Sequence, residues 1–304
     1  MKALYEMAGT TKQAHWVGMR RTEEQQDRFT LLEACLAQER GLHPAMSLKK
    51  IYHKLQPDFV GRDAFVQYGM SHGYEPFSRL KFHKTTDPGP SNAALNLLHR
   101  AMLFDINQVW VSDIFYFKVA GQFCYVVLIE DLYSRKIVGY HAAQRMFAQA
   151  NLDALSLALA QRGIEHYAQK LIHHSDKGSQ YRSGDYTQQL QKVGIRISMG
   201  NSCYDNAFME STNGIIKNEY LRHRPINTFD DLQQHLQHDV QLYNTERPHG
   251  SLHYKTPDEF ERYIFNIPLH QRTPLSIYTD QSKRHNLLNL TPDNHQLKFQ
   301  FPHF

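Results

Sequence analysis

The stretch "QVWVSDIFYFKVAGQFCYVVLIEDLYSRKIVGYHAA", residues 108–143, decides the fold of this chain. It contains three runs rich in β-branched and aromatic residues, at 109–117, 123–129 and 136–141, and such runs are typical of strands. Ala120-Gly121 divides the first two runs in the manner of a hairpin turn, and "EDLYSR" separates the last two. Three strands joined by such short turns predict an antiparallel sheet.

The sequence beyond this stretch alternates between helical and strand patterns. A helix is predicted at 148–161, a short strand at 170–173, a helix at 183–193, a strand at 195–198 and a long helix from about 206. Strands that alternate with helices are typical of crossover connections within one sheet. The sequence therefore predicts an α/β domain in which helices flank a mixed sheet of five strands.

The front of the chain, residues 1–86, is predicted to be a separate, all-helical module. Thr10 and Thr11 are candidate N-caps of a first helix and Thr22 of a second, and shorter helices are predicted at 48–55 and at 62–73. Two short helices across a tight turn, with basic residues on each, fit a helix-turn-helix. They fit an ordinary helical bundle with a solvated basic face equally well.

The basic residues are concentrated in this front module. Residues 1–86 contain 13 Lys and Arg against 9 Asp and Glu, whereas the remaining 218 residues contain 21 of each, so the whole net charge of +4 lies in the module. This distribution indicates a module that contacts phosphate and a second unit with another task. A Pro/Gly/Ser-rich break then predicts a linker at 87–94, a core at 95–265 and a C-terminal extension at 266–304.

Composition also excludes some classes of protein. The longest strongly apolar stretch without a charge, 119–129, is too short to cross a bilayer, and the first nine residues lack the apolar core of a signal peptide. Cys35, Cys124 and Cys203 are odd in number and far apart, so they offer no disulfide framework. We therefore expect a cytoplasmic protein.

Three carboxylates stand at special places in the predicted order of elements. Asp113 lies inside the first strand, on a face that alternation predicts to be apolar and buried, where an unpaired carboxylate is costly. Asp176 follows the fourth strand, where α/β folds collect ligands, and Glu210 lies on the helix after the fifth. Three carboxylates that converge on one sheet edge could hold a pair of Mg²⁺ ions, which activate an attacking oxygen and stabilise a leaving phosphoester oxygen.

Each of these acids also has an ordinary structural explanation. Asp113 could pair with Arg135 across the sheet. Asp176 could cap the turn that follows it, and Glu210 could be a surface acid on its helix. Taken singly, each acid favours the ordinary explanation. Taken together, in this order of elements, the three favour a metal site.

Four blocks of sequence carry a family resemblance. "WVSDIFYF" (110–117), "HHSDKGSQYRS" (173–183), "DNAFMESTNGIIKNEYL" (205–221) and "YNTERPHGSLHYKTPDEF" (243–260) closely resemble, in that order, the blocks of transposases from two-frame bacterial insertion sequences. These transposases belong to the retroviral-integrase superfamily. The resemblance spans about residues 95–262, and the segment at about 46–73 also resembles the family's helix-turn-helix.

The resemblance implies a ribonuclease H-like core in which Asp113, Asp176 and Glu210 form an Asp-Asp-Glu triad, catalytic and metal-ligating at once, with two Mg²⁺ or Mn²⁺ ions per active site. It implies DNA cleavage at element ends and strand transfer into target DNA by a polynucleotidyl transferase. The implied partners are double-stranded DNA, further copies of the chain in a homo-oligomer and an upstream-frame protein, with no membrane. The chain would be nucleoid-associated when bound to DNA.

Two other functions stay open at this point. One is a ribonuclease H-like nuclease that hydrolyses DNA without joining it, and the other is a DNA-binding regulator built from a catalytically dead copy. The intact triad argues against the regulator, and the basic helical front argues against a bare nuclease. The interval from Asp176 to Glu210 is slightly shorter than the family's usual one, which fits either a trimmed loop or a decayed copy.

The block at 173–183 permits some finer expectations. His173 and His174 alternate along the strand, so we expect one to face the core and the other the site. Zinc is disfavoured because no cysteine or further histidine lies at finger spacing, and nothing like a nucleophile elbow surrounds Ser175. Gly178 is small and would leave room for a DNA backbone beside the aspartate.

Further side chains are candidates for DNA contact. Lys217 lies seven positions after Glu210, on the same helical face, where it would reach a phosphate near the scissile bond or simply face solvent. In "YNTERPHGSL", Arg247 and His249 could neutralise phosphate, although the neighbouring proline and glycine slightly favour a role in fixing a turn. The remaining candidates are Asn206 and Asn213 beside the triad helix, Lys177 after Asp176, and Lys49, Lys50 and Arg62 in the front module.

Overall fold

The structure is a computed structural model that describes residues 5, 7–74, 96–98, 101–165, 170–176, 178–200 and 207–277. The predicted linker at 87–94 lies outside the described residues, as does the extension from residue 278 onward. None of the described helices is both long enough and apolar enough to cross a membrane.

The front module consists of three helices, α1 (Lys12–Leu42), α2 (Leu48–Leu55) and α3 (Arg62–Ser71). Thr11 caps α1, because its hydroxyl accepts a hydrogen bond from the Ala14 amide at 3.1 Å. The prediction that a second helix begins after Thr22 is wrong. Its hydroxyl donates to the carbonyl oxygen one turn earlier, at 3.0 Å, so the side chain is satisfied inside one continuous helix. A small core closes the module and contains Leu32, Leu36, Met46, Leu48, Ile51 and Phe65.

The rest of the described chain is built on a mixed sheet of five strands, as the sequence predicts. In order across the sheet the strands are β4-β3-β2-β5-β6, with β2, β3 and β4 antiparallel and β5 and β6 parallel to β2. The predicted fourth strand starts two residues later than expected, because Ile172 is the first residue that pairs with β2. The strands are β1 (Met102–Leu103, which precedes the sheet), β2 (Val109–Val119), β3 (Gln122–Asp131), β4 (Ile137–Ala143), β5 (Ile172–Ser175) and β6 (Arg196–Met199).

Helices cover both faces of this sheet. Helix α4 packs on β3 and β4 from one side, and α6 packs on β2 and β3 from the other, where α7 also covers β4. The backbone of α4 approaches β4 so closely that a Cβ at Gly139 would lie 2.2 Å from the Ala154 carbonyl oxygen. The helices are α4 (Ala148–Arg162), α5 (Gly184–Lys192), α6 (Ala207–Ile215), α7 (Phe229–Thr245) and α8 (Pro257–Phe265).

Alternation along β2 divides its side chains between two cores. Trp110 belongs to the core under α4 and α5, whereas Val111 and Phe115 belong to the core under α6 and α7. Asp113 therefore lies on the α6 side, between two buried apolar residues of the same strand. Helix α6 does not end at Ile215 but widens into a π-helical turn, Ile216–Tyr220, and then a short 3₁₀ turn, Leu221–His223.

The front module packs directly on the core through polar groups. The His43 Nδ1 atom lies 2.7 Å from the Tyr220 hydroxyl, and the Ala45 amide donates to the Glu219 carbonyl at 3.2 Å. We call the charged side chains at this contact the junction network. Its ion pairs are Arg247 with Glu219 at 2.8 Å, Lys54 with Glu246 at 2.9 Å and with Glu39 at 2.8 Å, and Arg224 with Asp239 at 2.7 Å.

The described start of the C-terminal extension packs on the core. Its strand β7 (Leu275–Ser276) pairs with β1, and the Tyr133 hydroxyl donates to the Thr273 carbonyl oxygen at 2.9 Å. For residues 266–277 the structure shows contact with the core.

Candidate active site

Strand pairing brings the first two predicted carboxylates together. In the parallel pair of β2 and β5, Val111 stands opposite His174. The pairing ends there, and Asp113 and Asp176 each lie two residues beyond this last pair, Asp113 within β2 and Asp176 directly after β5. Neighbouring strands lie about 4.8 Å apart, so two side chains on the same face at this position are close neighbours.

Helix α6 brings the third carboxylate to the same edge. Glu210 lies in its first turn, and Asn213 follows on the next. The Asn213 Nδ2 atom donates to Oδ2 of Asp113 at 2.8 Å, which ties the helix to β2. Partial burial raises the pKa of Glu210 above its ordinary value.

Charge repulsion shows that these acids are near one another. Burial, then the charge of Asp176 and, to a smaller extent, that of Glu210 together raise the pKa of Asp113 from 3.8 to about 7. Among the described residues, which do not include Lys177, no protein cation is one of the main groups that shift this pKa. The alternative ion pair between Asp113 and Arg135 is not what the structure shows, since Arg135 contacts Glu130 instead, at 3.3 Å.

The fit of a divalent metal rests on the chemistry of these donors. Carboxylate oxygens are the ligands that Mg²⁺ prefers, and a cation would relieve the repulsion that raises the pKa of Asp113. Within the described ranges, no three His, Cys, Asp or Glu side chains are yet close enough to hold a metal ion. The donors therefore fit such a metal, and its ligand geometry is not formed in this structure.

A tight turn fixes the second aspartate. The Gly178 amide donates to Oδ1 of Asp176 at 2.9 Å. A Cβ on Gly178 would lie 2.9 Å from that oxygen and 2.8 Å from Oε1 of Gln180, so a larger residue here would require the Asp176 and Gln180 side chains to shift. The small residue makes room for protein atoms of the turn itself, and the expectation that it makes room for DNA gains no support from this packing.

Both histidines of this block are buried, in different cores. The Nε2 atom of His173 lies 2.9 Å from the Tyr186 hydroxyl, and Nδ1 of His174 lies 2.8 Å from Oγ of Ser198. Burial lowers the pKa of His173 to about 3, so its ring is neutral at physiological pH. His174 is on the Asp113 side of the sheet but is fully buried there, so neither ring is available to a ligand.

A buried acid beneath the catalytic helix was missed by sequence reasoning. Glu130 is fully buried on β3 and accepts a short hydrogen bond from the hydroxyl of Thr212, which lies on α6 between Glu210 and Asn213. Arg135, the other partner of Glu130, places its guanidinium carbon 4.4 Å from the ring centroid of Phe208. The available sequence signal was an acid at the end of a long apolar run. The neighbouring Asp131 has a structural role, because its carboxylate accepts hydrogen bonds from three backbone amides, two in the following turn and one at Asn107.

Lys217 lies near the site, on the π-helical turn. Its Nζ atom is 5.8 Å from the ring centroid of Phe115, two residues along β2 from Asp113 and on the same face. Burial, with a smaller contribution from Arg222, lowers the pKa of Lys217. The lysine is half-buried rather than fully exposed, and its DNA contact stays a prediction.

Arg247 and His249 lie inside the protein, in the junction network. Arg247 is 1% exposed and forms a bidentate contact with Glu219, at 2.8 and 3.1 Å for its Nη2 atom. His249 is also buried, 3.3 Å from the same guanidinium, and burial, followed by the charge of Arg247, lowers its pKa. These contacts favour the turn-fixing interpretation over contact with phosphate.

The remaining candidates for DNA contact are at the surface or outside the described residues. Lys49 and Arg62 are exposed on α2 and α3, Lys50 is half-buried, and Arg62 also contacts Asp63 at 2.9 Å. Lys177 and Asn206 lie outside the part of the chain that the structure describes.

Comparison with known proteins connects this geometry to a family. The integrase core domain family matches the chain in two parts, residues 106–203 and 191–257. The chain is 32% identical over 256 residues to the transposase for insertion sequence element IS904 of Lactococcus lactis subsp. lactis (strain IL1403), covering 80% of this chain and 98% of that protein. It is 34% identical over 210 residues to the insertion element IS600 uncharacterized 31 kDa protein of Shigella sonnei, covering 67% of this chain and 76% of that one. The structure is similar to the HTLV-2 integrase catalytic core domain in complex with magnesium, with a TM-score of 0.42, 19% identity, and coverage of 55% of this chain and 99% of that chain.

These matches cover the strands and helices that form the carboxylate edge. The structure confirms the predicted α/β core on a five-stranded mixed sheet with a helical N-terminal module, and these matches confirm the predicted integrase-type core and function in DNA transposition. The chain is thus an enzyme of the polynucleotidyl transferase type. It belongs to the integrase-core transposases of bacterial insertion sequences.

Proposed function

We propose that the chain cuts DNA at the ends of its insertion sequence and joins those ends to target DNA, with Asp113, Asp176 and Glu210 as catalytic residues and ligands of two Mg²⁺ or Mn²⁺ ions. The observation that carries the proposal is the parallel pairing of β2 and β5, whose last pair, Val111 with His174, lies two residues before each of the two aspartates. The hydrogen bond from Asn213 to Asp113 supports it, because that bond ties the Glu210 helix to the same edge.

Metal ions bound by these carboxylates would activate the attacking oxygen and stabilise the leaving oxygen. In the first step, a water oxygen forms a bond to phosphorus, the bond from phosphorus to the 3′ oxygen breaks, the water loses a proton to solvent, and the leaving 3′ oxygen takes up a proton to become a hydroxyl. In the second step, the oxygen of this 3′-hydroxyl forms a bond to a target phosphorus and loses its proton, while the bond from that phosphorus to the target's own 3′ oxygen breaks and this oxygen is protonated, so one phosphodiester replaces another. Asn213 and the Gly178 amide orient the two aspartates throughout.

The proposal assigns DNA binding outside the triad to the front module. Its helices α2 and α3 would act as a helix-turn-helix on double-stranded element ends, with Lys49, Lys50 and Arg62 at phosphates. Lys217, Lys177, Asn206 and Asn213 would contact DNA near the scissile bond. Further copies of the chain and an upstream-frame protein are proposed partners.

The direct experiment incubates the purified chain with DNA carrying the element ends and with Mg²⁺, and separates nicked from joined products. Asp113→Asn, Asp176→Asn and Glu210→Gln should each abolish both products. Asp230→Asn, which changes an exposed carboxylate at the start of α7, is the matched control and should retain them. Degradation without joining would favour a nuclease, and binding without any product would favour a regulator.

A further inference from the structure

A groove at the open edge of β2 is not used by the proposed chemistry. Strand β5 pairs with β2 only from Val109 to Val111, so among the described residues no strand continues along that edge toward Val119. A cavity of about 390 Å³ lies there. It wraps around the edge, with Tyr116 and Phe123 of the β2–β3 hairpin on one side and Lys217 on the other. We call it the hairpin groove.

Two aromatic side chains are exposed in this groove. Tyr116 is 43% exposed and Phe123 is 60% exposed, and their rings meet edge to face with centroids 6.3 Å apart. They project from the sheet face opposite to the one that carries Phe115 and Phe117, which are buried under α6 and its π-helical turn. Adjacent exposed rings of this size are uncommon on a soluble surface without a ligand.

The charge of the groove is entirely positive. Lys118, Lys217 and Arg222 line it, and no acidic side chain is among its described lining residues. The Nζ atom of Lys118 lies 6.0 Å from the ring centroid of Phe123, so cation and aromatic ring belong to one surface. A groove of this charge favours a polyanion over an apolar peptide strand.

The groove lies further along β2 than the carboxylates. Tyr116 is three residues beyond Asp113 and on the opposite face of the strand, whereas Lys217 of the groove is on the Asp113 face, with its Nζ atom 5.8 Å from the ring centroid of Phe115. Exposed rings combined with cations bind single-stranded nucleic acid, because every unpaired base offers a face for stacking. The bases of a duplex are already stacked on one another, so these rings can serve only nucleotides that are not paired.

We propose that the hairpin groove binds unpaired nucleotides of the DNA strand that flanks the scissile phosphate, by stacking on Tyr116 and Phe123. The proposal deepens the function given above and rests on it. It identifies a subsite for frayed or single-stranded DNA beside the triad, distinct from the duplex contacts of the front module.

The test measures binding of the full chain in Ca²⁺, without chemistry, to a short poly(dT) strand, to a duplex with a poly(dT) overhang and to a blunt duplex. The double variant Tyr116→Leu, Phe123→Leu should bind the strand and the overhang about tenfold more weakly or worse, with unchanged affinity for the blunt duplex. Tyr263→Leu with Phe265→Leu is the matched control. It removes two exposed rings on α8, and the ring centroid of Tyr263 lies 5.1 Å from Nζ of Lys255, so this pair also combines rings with a cation. This control should not change the affinity for any of the three DNAs.

Several outcomes would overturn the proposal. Equal affinity of the double variant for the overhang would do so, as would an equal loss on the blunt duplex. A change in oligomeric state without a change in DNA binding would point instead to a protein strand on this edge. Thermal unfolding of each variant separates lost binding from lost fold. If the wild-type chain binds overhangs but gives no joined product in Mg²⁺, the catalytic proposal fails and the groove stands. If it joins ends and the double variant binds normally, the groove alone fails.

Discussion

Two groups of carboxylates lie at opposite ends of the helical segment that begins with α6, and the protein compensates their negative charge differently. At the sheet edge, Asp113, Asp176 and Glu210 are near one another, and the side chain that contacts Asp113 is the neutral amide of Asn213. Repulsion between the acids adds to burial, and together they raise the pKa of Asp113 to about 7.

In the junction network, by contrast, each carboxylate meets a protein cation. Arg247 is fully buried and donates hydrogen bonds to Glu219 from two of its nitrogens. Nζ of Lys54, in the front module, lies 2.9 Å from Oε2 of Glu246. The two groups are separated by about two turns of the same helical segment, from Glu210 to Glu219.

The difference shows how acids can be sorted into structural and functional ones. A buried charge without a counter-ion costs free energy, so a fold that keeps several acids together without protein cations leaves that cost to be offset by a bound cation. Where the acids serve only packing, the same fold supplies arginine or lysine. Acids that have a raised pKa and no cationic protein partner are therefore the stronger sign of a functional site.

The largest expected effect comes from Asp113→Asn, which should abolish joining, a loss on the order of 10³-fold or more, while stabilising the metal-free protein. The folded-state pKa of Asp113, about 7, lies above its ordinary value of 3.8, so wild-type stability falls as the pH rises from about 4 to about 7. At pH 8 the free energy of unfolding of the variant should exceed that of the wild type by roughly 2–4 kcal/mol, because the variant avoids the cost that corresponds to this pKa shift. The gain should vanish near pH 4.

Thermal and denaturant unfolding in chelator, at several pH values, checks this expectation. Asp230→Asn is the control, since that carboxylate is exposed. A variant that is less stable than wild type at pH 8 would mean that a protein cation already compensates Asp113. The distinction between the two groups would then be lost.

The junction network should respond in the opposite direction. Arg247→Met leaves Glu219 without its cation, and breaking a buried pair in this way costs about 3–5 kcal/mol. Arg62→Met removes an arginine from an exposed pair with Asp63 and should leave the unfolding midpoint unchanged. Equal midpoints for the two variants would show that the buried pair contributes no more than the exposed one.

Much of the fold could be predicted from the sequence, because it depends on local pattern. Alternating apolar residues and a turn at Ala120-Gly121 are enough to predict β2 and β3. The continuous α1 was missed because Thr22 looks like a cap, and only the helical geometry shows its hydroxyl bonded to the preceding turn. The π-helical turn at Ile216–Tyr220 has no sequence signal of its own.

The site could be predicted where its residues stand at strand or helix ends. Asp176 satisfies that condition, and Asp113, inside β2, stood out because a carboxylate is unusual on an apolar strand face; the neighbouring positions of β2 and β5 follow from strand order. For Arg247 the sequence left contact with phosphate open beside the slightly favoured turn-fixing role, because its partner, Glu219, is 28 positions away in sequence and meets it only in the folded chain. Glu130 was missed for the same reason, since its partner Thr212 lies on another element.

The third prediction concerns this hidden contact between the two groups. Thr212→Val removes the hydroxyl that donates to buried Glu130, so the helix that carries Glu210 should lose its anchor. We expect joining to fall about 10–100-fold, the usual cost of losing a supporting contact, with a higher Mg²⁺ concentration needed for half-maximal rate. Thr212→Ser retains the hydroxyl and should recover most of the activity.

A Mg²⁺ titration of the rate, beside an unfolding curve, separates positioning from stability. A merely structural role would lower the unfolding midpoint and leave the metal dependence of the surviving fraction unchanged. That result would remove Thr212 from the supporting contacts of the site.

The smallest effect is expected for the exposed cations of the front module, which face neither group of acids. Lys49→Gln and Arg62→Gln should each weaken duplex binding by a few-fold at low salt, because each removes about one phosphate contact. The slope of the logarithm of affinity against the logarithm of salt concentration should become shallower by about 0.9 for each. Lys192→Gln, at the exposed end of α5, should leave the slope unchanged. If instead the slope responds only to Lys217→Gln, the duplex is bound by the core, and the exposed charge of the module serves another purpose.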